Sequence, residues 1–485
     1  MRTARLPSWA WLALIVLAGA ALRAAAFTGQ SFSFGSDESR FIAVAQNLAN
    51  GYFPSSGAEW FGTRIGLIWP VAAVFRVTHA DDFTASAWPM VGSLLSIVAA
   101  YLLGRDLASR RAGLIAAAIV ALAPLEALVG VRLRPDAIMP GLLGLAVWLA
   151  LRGGRGGSWR WAAGAGVMLG IAWSVRESAL VLAPVLALTL WPAGRRALGA
   201  AAAGALAIPF ITAVVFAVGA GDPLRPLIGA GTEGEWRNPV SALSFDKSYV
   251  AMIGRAAFDP GASLFLLAPV IVVASGVVLY RRDRRAVLPA VWLAWTALYL
   301  EFGTLVNLAK PARYLTLCTI PAALLVALAA DGRLGFLVPA AVAVAAVAAL
   351  WTLPARDLRH DDVMLVARVG AKLRSLPAGP VLSESYTWWA KLGTYGARGR
   401  LTVPAARDPE FASPSEVRSA RRLAPLPVPA DVRGRGYVVT GPVHPRPGWP
   451  TNWDRVRSRM SREIAPGSLT LVATVGEARI WRWNP

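Results

Sequence analysis

Long apolar segments constrain this chain more than any other feature, because they recur from the N-terminus to about residue 353. A helix that crosses the hydrocarbon core of a bilayer needs about 20 mostly apolar residues. Segments that approach or reach this length lie at residues 8–27, 84–104, 112–131, 137–151, 159–174, 178–192, 197–219, 262–280, 286–304, 312–330 and 334–353. The sequence therefore predicts a polytopic α-helical membrane protein with about 11 transmembrane helices.

Composition agrees with this fold class and excludes several functions. The 485 residues are 56% hydrophobic and only 16% charged, whereas soluble domains carry roughly a quarter charged residues. Cys318 is the single cysteine, and the three histidines are scattered without a metal-ligand spacing, so we predict no disulfide framework, no cysteine-based zinc site and no histidine-rich metal centre. The net charge of +21 comes without any nucleic-acid-binding motif. In a membrane protein such an excess sets topology and contacts anionic lipid, so no nucleic-acid partner is predicted.

Arginine-rich loops alternate along the chain and predict its orientation. "GRDLASRR", "RGGRGGSWR", "GRR", "RRDRR" and "DGR" follow the second, fourth, sixth, eighth and tenth apolar segments. Cytoplasmic loops carry this excess of basic residues. We therefore predict an integral protein of a bacterial inner or cell membrane, with a cytoplasmic N-terminus and the odd-numbered segments ending on the external side.

The chain divides into two predicted parts. Residues 1–354 form the transmembrane module, and its external loop at 28–83 contains segments typical of helices that lie at the membrane interface. Residues 355–485 are richer in charge and contain the short β-like runs "GPVLSES", "RGYVVTGPV", "LTLVATV" and "ARIWRW". This part is predicted to be a small external soluble α/β domain.

Charged residues collect at the predicted external turns. The positions are Asp37 and Glu38 after the first segment, Arg134 and Asp136 after the third, Arg176 after the fifth, and Lys310 and Arg313 before the tenth. Helices packed in a bundle would bring these turns around one cavity. Carboxylates beside arginine and lysine suit an anionic phosphate next to a group that must lose a proton.

Several of these residues also have a structural interpretation. Asp37 and Asp136 are favourable caps for the helices that they precede or begin. Arg176 could form an ion pair with Glu177 in a tight turn. Lys310 and Arg313 could anchor a helix end at the lipid headgroups.

Five segments in order resemble a known family. They are "SDESRFIAVAQNLANGYFP", "LLGRDLASRRAGLIAAAIVALAP", "RPDAIMPGLLGLAVWLALR", "GIAWSVRESALVLAP" and "ARYLTLCTIPAALL", and the resemblance covers roughly residues 9–330. The chain resembles the GT-C superfamily of membrane glycosyltransferases, and within it family 39, the protein O-mannosyltransferase and aminoarabinose-transferase-like group. The family's proline-flanked segment after the first acidic helix is replaced here by "PSSGAEWFGTRIG".

The resemblance implies transfer of a sugar from a polyprenyl-phosphate donor to a lipid, glycan or protein acceptor at the external membrane face. It assigns catalytic roles to Asp37, Glu38 and Asp136, with Asp37 as the general base. It assigns the lipid phosphate to Arg134, Arg176, Lys310 and Arg313. No cofactor is required by the resemblance, although a divalent metal ion beside Asp37 and a phosphate is compatible with the chemistry.

Two other functions fit a polytopic chain. A secondary transporter would place ionisable residues or helix breaks at mid-bilayer in two matching halves, whereas the charges here lie at segment ends and no halves match. A non-catalytic lipid-binding scaffold of the same fold is the other alternative.

Overall fold

A computed structural model describes the membrane module most fully. The described residues are 7–27, 37–49, 51, 53, 60–78, 82–226, 267–303, 312–331, 344, 347, 368–377, 381–383, 436–440, 469–476 and 478–483.

The first 331 residues are helical wherever they form regular structure in the described part. The α-helices are α1 (Ser8–Ala25), α2 (Asp37–Ala49), α3 (Trp60–Thr63), α4 (Ile65–Val77), α5 (Asp82–Leu107), α6 (Arg110–Leu122), α7 (Pro124–Val129), α8 (Pro135–Gly156), α9 (Trp159–Val175), α10 (Ala183–Leu190), α11 (Gly194–Ala220), α12 (Leu267–Tyr280), α13 (Val287–Gly303) and α14 (Thr319–Ala330). Short 3-10 helices at Glu177–Leu182, Trp191–Ala193, Arg284–Ala286 and Ala312–Cys318 join or precede them.

Helices long and apolar enough to cross a membrane are present. Within the described residues these stretches are Ser8–Ala25, Asp82–Leu107, Pro135–Gly156, Glu177–Ala220 and Arg313–Ala330. The integral-membrane class is thereby supported, and the predicted number of spans stays a prediction. The predicted segment at 334–353 lies almost wholly outside the described residues.

Among the described residues, three predicted spans are not continuous α-helices, and one of them, 312–330, begins as the 3-10 helix Ala312–Cys318 before α14. The segment at 112–131 is divided between α6 and α7 at Ala123, whose backbone is extended. Pro124 stands at the start of α7, and the residue before a proline is disfavoured in the helical conformation. The segment at 178–192 begins as a 3-10 helix before α10.

The loop predicted at 28–83 contains α2, α3 and α4. In α2, the apolar side chains of Phe41, Val44 and Ala45 recur at helical spacing and are buried. Helix α4 packs against α2, α5 and α9. The loop therefore lies against the helical bundle, where it can position the residues at the start of α2.

A buried arginine fastens α1 to the bundle. Arg23 is fully buried; its Nε donates to Ser93 Oγ at 2.8 Å, and its Nη1 donates to the carbonyl oxygens of Gly19 and Ala121 at 3.1 Å each. A buried guanidinium is costly unless its donors are satisfied; the bonds of Nε and Nη1 offset part of this cost, whereas Nη2 has no hydrogen-bond partner among the described residues. These bonds fix the end of α1, from which the chain continues towards α2.

Glycines allow the closest helix contacts. A Cβ added at Gly166 of α9 would overlap the carbonyl oxygen of Ala201 in α11, and one at Gly204 would overlap that of Ala163. One at Gly92 of α5 would lie 2.6 Å from the Cα of Ile138. Membrane helices pack through such small residues because lipid offers no hydrophobic drive between them.

The C-terminal part contains a helix at 368–374 and the strands β1 (Val381–Ser383), β2 (Gly436–Thr440), β3 (Leu469–Val475) and β4 (Ala478–Trp483). The sheet order is β1-β2-β4-β3; β1 and β2 are parallel and the other pairs are antiparallel. Every strand coincides with one of the four β-like runs in the sequence. The boundary at residue 355 and the external position of this domain stay predictions.

A matched pair of substitutions tests the α9 and α11 contact. Gly166→Ala places a methyl group against the Ala201 carbonyl, so we expect it to lower the free energy of unfolding by about 2 kcal/mol. Gly164→Ala is the control, because its Cβ would lie 3.6 Å from Leu149, an ordinary contact. Thermal unfolding in detergent measures both, and equal midpoints would show that this contact is not tight.

Candidate active site

The predicted external turns meet at one end of the bundle, which we call the site end. It is the end at which α1 ends and α8 begins. Ser86 near the start of α5 donates from Oγ to the carbonyl oxygen of Val131 at 2.9 Å, and Thr316 before α14 donates to that of Asp136 at 3.3 Å. The starts of α5, α8 and α14 therefore lie together.

Glu38 and Arg134 form a bidentate ion pair at this end. Glu38 stands in the first turn of α2 and is 1% exposed. Arg134 Nε donates to Oε1 at 2.5 Å and Nη2 donates to Oε2 at 2.7 Å. Two parallel bonds of this kind hold both planar groups in one orientation. The pair therefore ties the start of α2 to the start of α8.

The charge of Glu38 is maintained by this pairing. Burial raises the pKa of Glu38, but the charge of Arg134 and its hydrogen bonds outweigh burial, and Arg132 adds to them. The pKa of Glu38 consequently lies below its ordinary value. The carboxylate is ionised at neutral pH and serves as a fixed anion.

Asp136 lies between two arginines. It stands in the first turn of α8 and is 4% exposed. Arg176 Nη1 donates to its Oδ1 at 3.2 Å, and Arg313 Nε forms an ion pair with its Oδ2 at 3.0 Å. Because Arg176 follows α9 and Arg313 precedes α14, one carboxylate joins three elements that are far apart in the sequence.

Tyr314 completes the arginine cluster. Arg176 Nη2 donates to the Tyr314 hydroxyl at 2.6 Å, and its guanidinium carbon lies 4.5 Å from the centre of the tyrosine ring. The guanidinium carbon of Arg313 lies 5.4 Å from the same ring. An aromatic ring this close to two cations attracts both. Asp136 and Tyr314 thus hold two like charges side by side.

Arg64 forms a further ion pair that the sequence did not single out as part of a site. Its Nη2 lies 3.4 Å from Glu177 Oε2, and its guanidinium carbon lies 5.9 Å from the Phe41 ring. The Arg64 side chain is 4% exposed and that of Glu177 is 24% exposed. This pair connects the segment before α4 with the 3-10 helix that follows α9. Glu177 therefore pairs with Arg64 rather than with its neighbour Arg176.

Most of the predicted site residues come together here. Arg134, Arg176, Arg313, Glu38 and Asp136 all lie at the site end, where Glu38 and Asp136 accept from arginines. Asp37 is the first residue of α2, but its side chain lies outside what the structure describes, as does the whole of Lys310. The catalytic and phosphate-binding roles of all seven stay predictions. Tyr314 was missed, although it directly follows Arg313.

The ion pairs at the site end involve more arginines than carboxylates. Four paired arginines (Arg64, Arg134, Arg176 and Arg313) face three carboxylates (Glu38, Asp136 and Glu177). The arginine side chains at 134, 176 and 313 are 15%, 12% and 24% exposed. They are thus largely withdrawn from water yet within reach of a ligand at this end.

Metal ligands are not grouped in the described part of the chain. No three His, Cys, Asp or Glu side chains within it lie close enough to hold an ion. The prediction that no cofactor is required stays a prediction.

Comparison with known proteins identifies the fold. The model of the family "dolichyl-phosphate-mannose-protein mannosyltransferase" matches residues 65–219. The crystal structure of ArnT from Cupriavidus metallidurans in the apo state aligns with a TM-score of 0.65 at 14% identity, over 98% of each chain. The same protein bound to undecaprenyl phosphate aligns with a TM-score of 0.60 at 13% identity, also over 98% of each chain.

A more distant structure has the same architecture. The Archaeoglobus fulgidus oligosaccharyltransferase, in complex with Zn and sulfate, aligns with a TM-score of 0.51 at 16% identity. That alignment covers 89% of this chain and 68% of that one. No curated protein matches the chain in sequence.

The predicted fold class is supported: the chain has the helical membrane fold that ArnT and the oligosaccharyltransferase share, which fits a GT-C fold. The match of the mannosyltransferase family model to residues 65–219 agrees with the resemblance to the mannosyltransferase and aminoarabinose-transferase-like group.

The Glu38 pair predicts a pH-dependent contribution to stability. Its folded pKa is depressed, so ionised Glu38 stabilises the fold above its unfolded pKa of 4.5, and this contribution is lost as the pH falls through the lower folded value. We expect Glu38→Gln to lower the free energy of unfolding by about 3 kcal/mol at neutral pH, because it leaves Arg134 without its anion. The difference from wild type should stay constant down to about pH 5 and shrink below it.

Thermal unfolding in detergent at a series of pH values measures this difference. Glu177→Gln is the control, because its single 3.4 Å pair is more exposed and removing it is expected to cost less. A gap between wild type and Glu38→Gln that widens on acidification would contradict the assigned ion pair.

Proposed function

We propose that the chain transfers a sugar from a polyprenyl-phosphate donor to a lipid, glycan or protein acceptor at the external face of the membrane. The observation that carries the proposal is the arginine cluster of Arg176, Arg313 and Tyr314 around Asp136, which lies at the same end of the bundle as the start of α2. The ArnT structure bound to undecaprenyl phosphate has the same fold and supports this donor class.

The arginine cluster suits the leaving group of such a transfer. As the bond between the anomeric carbon and the phosphate oxygen breaks, the electron pair stays on the phosphate and its negative charge grows. Cations that are already fixed in place stabilise this charge without reorganisation. Asp136 and Tyr314 provide the fixing for Arg176 and Arg313, so that Asp136 acts through the arginines. Arg134 and Lys310 are proposed to complete the phosphate site.

Asp37 is proposed to be the general base. It would take the proton of the acceptor hydroxyl while the hydroxyl oxygen forms the new bond to the anomeric carbon. Successive helical residues point about 100° apart, so only one of Asp37 and Glu38 is proposed to face the acceptor. Glu38, held by Arg134, is a positioning residue that fixes the first turn of α2 and hence the base.

The membrane topology belongs to the same proposal. The site end is assigned to the external side, with the N-terminus of the chain in the cytoplasm of a bacterium. The arginine-rich loops of the opposite end support this assignment under the positive-inside rule.

Asp37 is tested by removing its basicity. We expect Asp37→Asn to lower the rate of transfer about 10³-fold, within the range that general-base catalysis contributes. Purified full-length protein in proteoliposomes is supplied with labelled undecaprenyl-phosphate sugars, and product formation is measured. Arg285→Gln is the control, because it alters an exposed ion pair at the opposite end. Full transfer by Asp37→Asn would remove this residue from the mechanism.

Arg176 is tested by its effect on the leaving phosphate. We expect Arg176→Gln to lower kcat about 10²-fold, because one fixed cation is lost where charge develops. Arg176→Lys keeps the charge without the planar geometry and is expected to recover only part of the rate. The same proteoliposome assay gives kcat and KM. An unchanged kcat in Arg176→Gln would show that this arginine is purely structural.

A further inference from the structure

A second group of arginines lies at the opposite end of the bundle, which we call the basic end. Helices α6, α9 and α11 begin there, and α8 ends there. Arg152 in the last turns of α8 lies against Asp106 near the end of α5, and Ser109 before α6 donates to Asp331 after α14 at 2.7 Å. The basic end is therefore the far side of the bundle from the candidate active site.

Tryptophans and arginines alternate on part of this end. We call Trp159, Arg160 and Trp161 of α9, Trp191 before α11, and Arg195 and Arg196 of α11 the Arg-Trp patch. The guanidinium carbon of Arg160 lies 5.7 Å from the Trp159 ring centre, and that of Arg196 lies 5.9 Å from it. One indole ring is thus shared by arginines from two helices, which places the two helix starts side by side.

The Arg-Trp patch is open to its surroundings. Trp159, Trp161 and Trp191 are 44%, 41% and 71% exposed, and the three arginines are exposed as well. Trp161 also stacks edge-on against Trp148, with ring centres 5.8 Å apart. The patch is therefore anchored to the bundle on one side and presents indole and guanidinium groups on the other.

Helix starts intensify the positive charge of the patch. Neither α9 nor α11 has an acidic residue in its first turn, although acids are the residues that a positive helix start favours. The arginines at these starts add their charge to the helix dipoles. Asp106 accepts from Arg152 and from the indole N–H of Trp148, the residue against which Trp161 of the patch stacks. The positive electrostatic potential of the patch therefore favours binding of an anion from outside the chain.

An apolar surface continues from the patch along α11. Leu206 follows Arg195 by eleven residues, about three turns, which puts it on the same helix face. Leu206, Phe210 and Val214 repeat every four residues and are 67%, 70% and 48% exposed. The arginines at the start of α11 therefore lie on the same helix face as a row of exposed aliphatic and aromatic side chains.

We propose that the Arg-Trp patch binds the phosphate headgroup of an anionic phospholipid, with acyl chains lying along the exposed face of α11. Arginine binds phosphate oxygens in pairs, and tryptophan prefers the boundary between headgroups and acyl chains. A second copy of the chain fits less well, because two patches of the same sign would repel each other. The ligand is thus a lipid of the surrounding leaflet, at a site separate from the proposed donor site.

The proposal is tested by lipid binding to the purified full-length protein. Native mass spectrometry follows titration with phosphatidylglycerol and, separately, with phosphatidylcholine. The wild-type protein is expected to bind phosphatidylglycerol about tenfold more tightly than it binds phosphatidylcholine. The double variant Arg160→Gln/Arg196→Gln is expected to lose about tenfold in affinity for phosphatidylglycerol and to keep its affinity for phosphatidylcholine.

A matched control removes the same charge elsewhere on the same end. Arg110→Gln/Arg111→Gln alters two exposed arginines at the start of α6 and is expected to change the affinity less than twofold. Arg160→Lys/Arg196→Lys keeps the charge but loses the planar contact with Trp159, and is expected to recover only part of the affinity. Equal binding of the two lipids by wild type, or an equal loss in the α6 control, would overturn the proposal.

Discussion

The carboxylate of Asp136, held between Arg176 and Arg313, is the interaction on which the site depends. It joins the start of α8, the end of α9 and the 3-10 helix before α14. The carboxylate is nearly buried, and a buried charge is tolerated only when oppositely charged partners offset its loss of hydration. The same pairing allows two guanidinium groups to share the Tyr314 ring. Without Asp136 these cations would repel each other, and the geometry that suits a phosphate would be lost.

The arginine side chains at the two ends of the bundle differ in their pairing and their exposure. At the site end, each described carboxylate of the cluster pairs with an arginine, and the arginine side chains are mostly withdrawn from water. At the basic end, the arginines of the Arg-Trp patch are exposed and stand at helix starts without acidic neighbours in the first turn. Paired arginines give a site of defined geometry and modest net charge. Exposed arginines create a positive electrostatic potential that attracts an anion from outside the chain.

The sequence predicted where the charges of the site would lie but not how they would pair. Alternation of apolar segments places every second turn at the same end, so the convergence of Glu38, Arg134, Asp136, Arg176 and Arg313 could be anticipated. The bidentate bond of Arg134 to Glu38 spans 96 positions, and the Arg64 pair with Glu177 spans 113. Such contacts depend on the rotation and tilt of each helix, which no local pattern records. Arg64 and Tyr314 were missed for this reason.

The sequence by itself determined the membrane class, the approximate positions of most helices, the four strands of the C-terminal sheet and the family resemblance. These follow from hydropathy, periodicity and residue order, which act along the chain. Only the tertiary structure decided that Glu38 and Asp136 are held by arginines, that Glu177 pairs with Arg64, and that arginines of α9 and α11 share Trp159. The physical reason is that electrostatic pairing and aromatic contact act over a few ångströms in space, between side chains that packing brings together.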